Sequence, residues 1–128
     1  MFSHVMVGSN DIPRSKKFYD ALFTAVGGKA GSQDDKGRLI YAHNGGLLLV
    51  SKPIDGQPAC HANGGTIGFA MTGPEQADAW CKAGVAGGGT QIEDPPGVRE
   101  GGFGALYLAY LRDPDGNKLC ALHRMPKA

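Results

Sequence analysis

The sequence predicts an α+β domain made of two paired β-α-β-β-β modules that together form a curved mixed sheet with helices outside. Three observations carry this. Residues 4–28 and residues 66–89 each read as a strand, a helix start, an amphipathic helix and a glycine stop. Each copy is followed by two apolar runs joined by a polar turn, at Asn44-Gly45-Gly46 and at Asp113-Pro114-Asp115-Gly116. The chain has 128 residues, enough for one substantial core and too few for two independent ones. The half-modules run over about 1–52 and 64–128 of a single domain, 1–128. A repeat of this kind directs attention to corresponding positions in the two halves, where a shared site is built.

Phe2 to Val7 has the apolar character of a short strand. Asn10 or Asp11 then caps a helix, because a short side-chain oxygen accepts unpaired N–H groups of the first turn. Pro13 falls in that turn, where its missing N–H costs little. Phe18, Ala21, Leu22 and Val26 recur at spacings of three and four and mark the buried face. Gly27-Gly28 ends the helix. In the second copy, Thr72-Gly73-Pro74-Glu75 matches a capping box, with Glu75 placed to reach back. Ala77, Trp80, Cys81 and Val85 form the apolar face there, and Gly87-Gly88-Gly89 ends the segment.

Arg38–Ala42 and Leu47–Ser51 read as a hairpin, since Asn-Gly between apolar runs tolerates positive φ at both turn positions. Leu106–Arg112 and Lys118–His123 are its counterpart, with Pro114 presetting φ and Gly116 supplying positive φ. The last strand of each copy is the least marked. Two segments are read as loops. Lys52–Gly65 connects the halves, and Thr90–Gly104 is long, rich in Gly and Pro, and carries Arg99 and Phe103. A loop of that length is a candidate lid, with Arg99 and Phe103 as lid contacts.

Composition narrows the classes of function. Hydrophobic content of 41% and charged content of 20% fit a soluble globular protein rather than a disordered one. A net charge of +1 without a basic stripe provides no electrostatic case for nucleic acid or a membrane surface. No apolar run reaches the roughly 20 residues that span a bilayer. Met1 to His4 lacks the basic-then-apolar pattern of a signal peptide. Three widely spaced cysteines, an odd number, fit a reducing cytoplasm better than a disulfide framework.

Three segments together resemble the vicinal-oxygen-chelate superfamily, which contains glyoxalase I, extradiol dioxygenases, fosfomycin-resistance proteins and bleomycin-binding proteins. They are His4-Val5 on the first strand, Asp11-Ile12-Pro13-Arg14-Ser15-Lys16-Lys17-Phe18-Tyr19 into the first helix, and Arg112-Asp113-Pro114-Asp115-Gly116-Asn117-Lys118-Leu119 near the end. The resemblance covers essentially the whole chain and points to the small single-domain members. Pro53 to Ala59 and Asn63-Gly64 also resemble a subgroup of them. It implies a metal held by a His (or Gln) and a Glu from each half, with open positions where two substrate oxygens chelate.

Carried over position by position, that ligand set is mostly absent. His4 matches the first-strand histidine. Aligning Val5-Met6-Val7 with Ile67-Gly68-Phe69 puts Thr66 at the second histidine. Aligning Leu47-Leu48-Leu49 with Lys118-Leu119-Cys120 puts Leu49 and Cys120 at the two carboxylates. His4 reads either as a surviving ligand or pocket contact, or as a strand histidine bonded to a neighbour. Cys120 reads as a soft ligand or nucleophile, or as a buried apolar filler, and the filler reading is favoured. Cys120 and His123, three apart on a strand, point to opposite faces, as do Tyr107 and Tyr110. Cys60-His61 reads as incidental, Cys81 as packing, and Arg14, Lys16 and Lys17 as a solvated face. Arg38 reads as a strand-end residue with its guanidinium in water, and reaches an anionic ligand only if its face is the inner one.

The expected function is therefore binding of a small, partly apolar molecule in the sheet cavity without a metal, the pocket being lined by His4, Leu49, Thr66 and Cys120. No cofactor is expected on this reading. The alternatives are a lactoylglutathione-lyase-like metalloenzyme, with a divalent metal on His4 and Cys120 as a replacement ligand, and a dimeric structural or regulatory module. The resemblance also implies a homodimer.

Overall fold

The computed structural model of the protein describes residues 1–127. The elements run β1 (Val5–Gly8), α1 (Ile12–Thr24), β2 (Ser32–Gln33), β3 (Leu39–His43), β4 (Gly46–Ser51), β5 (Ile67–Ala70), α2 (Pro74–Ala86), β6 (Thr90–Gly101), β7 (Gly104–Arg112) and β8 (Lys118–Arg124). The paired β-α-β-β-β modules are both present. In the single chain they make two four-stranded sheets, ordered β1-β4-β3-β2 and β5-β8-β7-β6. The first and last strands of each module pair in parallel, and the other pairs are antiparallel.

The repeat holds at the level of register. Val5 pairs with Leu48 and Met6 with Leu49, while Ile67 pairs with Leu119 and Gly68 with Cys120. The alignment read from the sequence is thus the alignment of the two backbones. The hairpin turn at Asn44-Gly45 has φ of 49° and 79° at those residues, the conformation that selects Asn-Gly.

Both helices are 13 residues long. Asp11 is the cap of α1 and its carboxylate accepts the Arg14 N–H at 3.0 Å. The capping box expected at the start of α2 does not form. Gly73 is the cap, and Gln76, not Glu75, reaches back to accept the Thr72 N–H at 2.7 Å. On α2 the buried face is Ala77, Trp80, Cys81 and Gly84, and Val85 is exposed. Gly84 is required there: a Cβ would run into Leu111 and lie 3.1 Å from Leu22.

One face of each sheet carries its helix, and α1 packs on α2 through Phe18, Ala21 and Leu22 against Gly84 and Gly87. The helices therefore lie between the modules and share one core, with Phe18, Tyr19, Leu22 and Trp80 fully enclosed alongside Leu39, Val50, Leu111 and Leu119. The turn after β7 fastens the modules together. Asp115, its side chain 1% exposed, accepts the Asn10 N–H at 2.9 Å and the Arg14 guanidinium at 2.8 Å. Asp113 accepts the Tyr19 hydroxyl at 2.6 Å, and Asn117 donates to the Gly8 carbonyl at 3.1 Å. Arg14, its side chain 46% exposed, thus makes an inter-module contact from the solvated face. Burial first, then the Asp113 charge, pushes the Tyr19 phenol well above its ordinary range, so Tyr19 is a permanent donor.

Candidate functional site

The strand register defines two comparable surfaces, each on the sheet face turned away from the helices. Side chains alternate along a strand, so residues paired across neighbouring strands form rows on one face. On the first sheet the paired rows are Gly8-Ser51, Met6-Leu49-Ile40 and Leu47-Ala42, with Arg38 just before β3 and His4 just before β1. On the second they are Ala70-Leu122-Leu108, Gly68-Cys120-Tyr110 and Lys118-Arg112, with Thr66 just before β5. Leu49 and Cys120 occupy the centres of equivalent rows, and His4 and Thr66 precede equivalent strands.

Of the four residues singled out by the sequence, Leu49 and Cys120 belong to these helix-distal faces, and His4 and Thr66 immediately precede β1 and β5. Their surroundings differ. His4 is exposed and its Nδ1 meets the Ser3 hydroxyl at 2.8 Å. Thr66 is exposed and Leu49 is half-buried. Cys120 is 5% exposed. None of the principal cavities of the single chain is lined by His4, Leu49, Thr66 or Cys120. The reason is the helical layer: with α1 and α2 between the sheets, the two helix-distal faces do not meet within one chain.

Residues 90–104 are not a loop. Thr90–Gly101 is a long edge strand, and its register with β7 breaks between Ile92 and Gly97, so Glu93 to Pro96 bulge out. Arg99 is turned inward. Its guanidinium donates to the carbonyls of Asp94, Pro95, Gly97 and Leu108 at 2.9–3.0 Å and holds the bulge shut. This replaces the expected lid contact with an internal clamp. Phe103 is exposed at the β6–β7 turn, and its carbonyl accepts the Arg124 guanidinium.

The second face buries its centre at Cys120, leaves Gly68 exposed and is polar at its margin. Lys118 pairs with Glu93 and sits 4.9 Å above the Tyr110 ring. Burial pushes the Cys120 thiol up, with Glu93 adding to the effect against a hydrogen bond from Tyr110. A thiol held protonated is neither a ready nucleophile nor a ready ligand. Tyr107, on the opposite face as the alternation requires, donates to Asp78 at 2.6 Å, and that bond pushes its phenol up to about 12. His123 also points away from Cys120, its Nδ1 meeting the Met71 carbonyl at 3.0 Å.

The donor set does not fit the family metal. The four positions offer one imidazole, one hydroxyl, one buried thiol and one hydrocarbon, and a catalytic zinc uses three protein ligands. Among the described residues no group of three or more His, Cys, Asp or Glu side chains is placed to hold an ion. Cys60 and His61 are exposed, and His61 packs over Gly116.

Two features were not legible in the sequence. A cleft of about 240 Å³ opens between the modules on the helix side, floored by Phe23, Tyr41, Phe69 and Trp80. A larger groove of about 1010 Å³ runs along the first sheet beside the start of α1. The strand-end position of Arg38 was the one signal pointing to it.

The model of the Glyoxalase/Bleomycin resistance protein/Dioxygenase superfamily matches residues 1–121. A crystal structure of a glyoxalase/bleomycin resistance protein from Albidiferax ferrireducens is 58% identical, with a TM-score of 0.93 over 97% of this chain and 99% of that one. A glyoxalase-related enzyme from Fulvimarina pelagi superposes with a TM-score of 0.72 at 19% identity, over 97% of this chain and 88% of that one. A glyoxalase/bleomycin resistance protein/dioxygenase family enzyme from Burkholderia phytofirmans gives 0.71 at 17% identity, over 96% and 98%. No curated protein matches the chain. The chain belongs to the superfamily whose model it matches.

Proposed function

We propose that this superfamily member binds a small, partly apolar molecule against its helix-distal sheet faces without a metal ion. The observation that supports this most directly is the pair at the row centres. Leu49 and Cys120 stand where the metal-dependent relatives carry carboxylates, in matching register. A hydrocarbon and a protonated thiol leave those centres uncharged, which favours an apolar or aromatic group on the ligand. His4 and Thr66, just before β1 and β5, supply the hydrogen bonding that orients it. His4, Leu49, Thr66 and Cys120 are the lining set of this reading.

The same geometry supports a homodimer. Leu47 on the first helix-distal face is 37% exposed, and β1 and β5 each have one unpaired edge. A second copy that brings its second-module face against the first-module face covers this surface and gathers the four lining residues. No helix of the described residues is long and apolar enough to cross a membrane. The three free thiols support a cytoplasmic location.

Metal content and ligand binding decide the reading together. The expected result is full binding of an apolar fluorescent probe after exhaustive chelation, with no stoichiometric nickel, zinc, manganese or iron retained by mass spectrometry. Stoichiometric metal that disappears in His4→Ala would replace this reading with the metalloenzyme one. Sedimentation is expected to show a dimer at micromolar concentration, and a monomer there would remove the shared cavity.

A further inference from the structure

We propose that the groove along the first sheet recognises an organic anion, holding its acidic group on Lys36, Arg38 and Lys52 and its apolar body on Met6 and Ile54. The groove measures about 1010 Å³, the size of sites that take whole small molecules, roughly 300–1,000 Å³. It runs from the Gly8-Ser51 row and Arg38 to the start of α1, and the connector after β4 forms its other wall.

Charge on its lining is one-sided. Lys36 and Lys52 are exposed and have no ion-pair partner among the described residues. Arg38 meets Asp34 through Nε at 2.6 Å, which orients the guanidinium and leaves its Nη groups without a protein partner. The lining carboxylate, Asp11, is already committed to capping α1. Three cations therefore face a space whose nearby carboxylates, Asp34 on Arg38 and Asp11 at the helix start, are both engaged, and an anion there gains most from Lys36 and Lys52 and from the free Nη groups of Arg38. The cations come from two separate segments, Lys36-Gly37-Arg38 and the start of the connector, and the antiparallel pairing of β3 and β4 brings them together.

The apolar half is equally unpartnered. Ile54 is fully exposed and Met6 is 46% exposed. The connector wall is built rather than loose. Asn10 clasps Ala59 with two hydrogen bonds, donating to its carbonyl at 3.1 Å and accepting its N–H at 2.7 Å. Gly8 permits the approach, since a Cβ there would sit 2.9 Å from that of Ala59. The segment from Pro53 to Ala59 thus acts as a fixed wall carrying Ile54, with Lys52 immediately before it. The inference shares Met6's row with the binding reading above, but needs neither the dimer nor the four lining residues.

Two probes of one shape test it: anilinonaphthalene sulfonate, an apolar anion, and phenylnaphthylamine, its neutral counterpart. Wild type is expected to bind the anion about tenfold or more tighter. The Lys36→Glu, Lys52→Glu double variant should lose that advantage and bind the neutral probe within about twofold of wild type. Lys36→Arg, Lys52→Arg should keep it, and added salt should weaken only the anion. Competition by decanoate, decyl phosphate and decanol then ranks carboxylate, phosphate and neutral head groups. Equal binding of the two probes, or an anion advantage that survives charge reversal, overturns the inference and leaves the apolar-binding reading standing. An anion advantage lost on charge reversal but untouched by Leu49→Glu supports the inference and counts against that reading. Binding of neither probe overturns both.

Discussion

The two modules share a backbone register and differ in what covers the same face. On the first sheet the central row is Met6-Leu49-Ile40, aliphatic and partly open to water. On the second it is Gly68-Cys120-Tyr110, with Cys120 buried and the Glu93–Lys118 pair at its margin. The pairing of the first, third and last strands of each module matches in direction and register, because hydrogen-bonded ladders do not depend on which side chains they carry. The duplication therefore preserves architecture while leaving the chemistry of each face free to change. Family membership identifies the frame, and activity has to be argued from the side chains on it.

The largest expected effect separates the modules' turns. The first module closes its hairpin with Asn44-Gly45, whereas the second uses a turn whose carboxylates reach into the first module. Asp113→Ala removes four hydrogen bonds from a buried carboxylate. It should cost about 3 kcal/mol in urea unfolding. A loss below about 1 kcal/mol would mean the modules hold together through apolar packing alone.

A smaller effect tests why Cys120 is buried. Arg99→Met removes the carbonyl clamp and should cost about 1–2 kcal/mol. It should also open Cys120 to thiol reagents. In the native wild type only Cys60 is exposed, so one thiol should react quickly and three in denaturant. If the variant still shows one fast thiol, the bulge is held by something other than Arg99.

The smallest effect concerns the first module's own brace. Asp20 accepts bonds from Lys16, the Gly31 N–H and the Tyr41 hydroxyl. Burial opposes its charge, but these bonds outweigh it and hold the carboxyl below its usual range. A depressed folded-state value stabilises the fold above the unfolded value of about 3.9 and is lost as pH falls through the folded one. Asp20→Asn should therefore flatten the acid limb of the stability curve by less than about 1 kcal/mol and leave the second module's thiol pattern unchanged.

Much of this architecture is legible in neighbouring residues. The Asp11 cap, the Asn-Gly turn and the alternation that separates Cys120 from His123 depend on local sterics and spacing, and all three appear in the structure. Strands β2 and β6 are not legible. β2 is two polar residues, and β6 carries Pro95-Pro96, which ordinarily argues against a strand. An edge strand pairs on one side only, and the bulge puts both prolines where no ladder bond is needed. The expected capping box does not form because the helix starts at Pro74 with Gly73 as its cap, which has no side chain to bond, and Gln76 rather than Glu75 reaches back to Thr72.

The amino-acid sequence alone determined the two modules and their register, since each is a matter of residue type at a spacing. The tertiary structure decided the rest. It placed the helices between the sheets, turned the most recognisable motif into an inter-module latch, bent Arg99 inward and gathered Lys36, Arg38 and Lys52 around one groove. These outcomes join residues far apart in the chain. They follow from which buried polar groups find partners and which apolar faces find cover, and both are settled only when the whole chain packs.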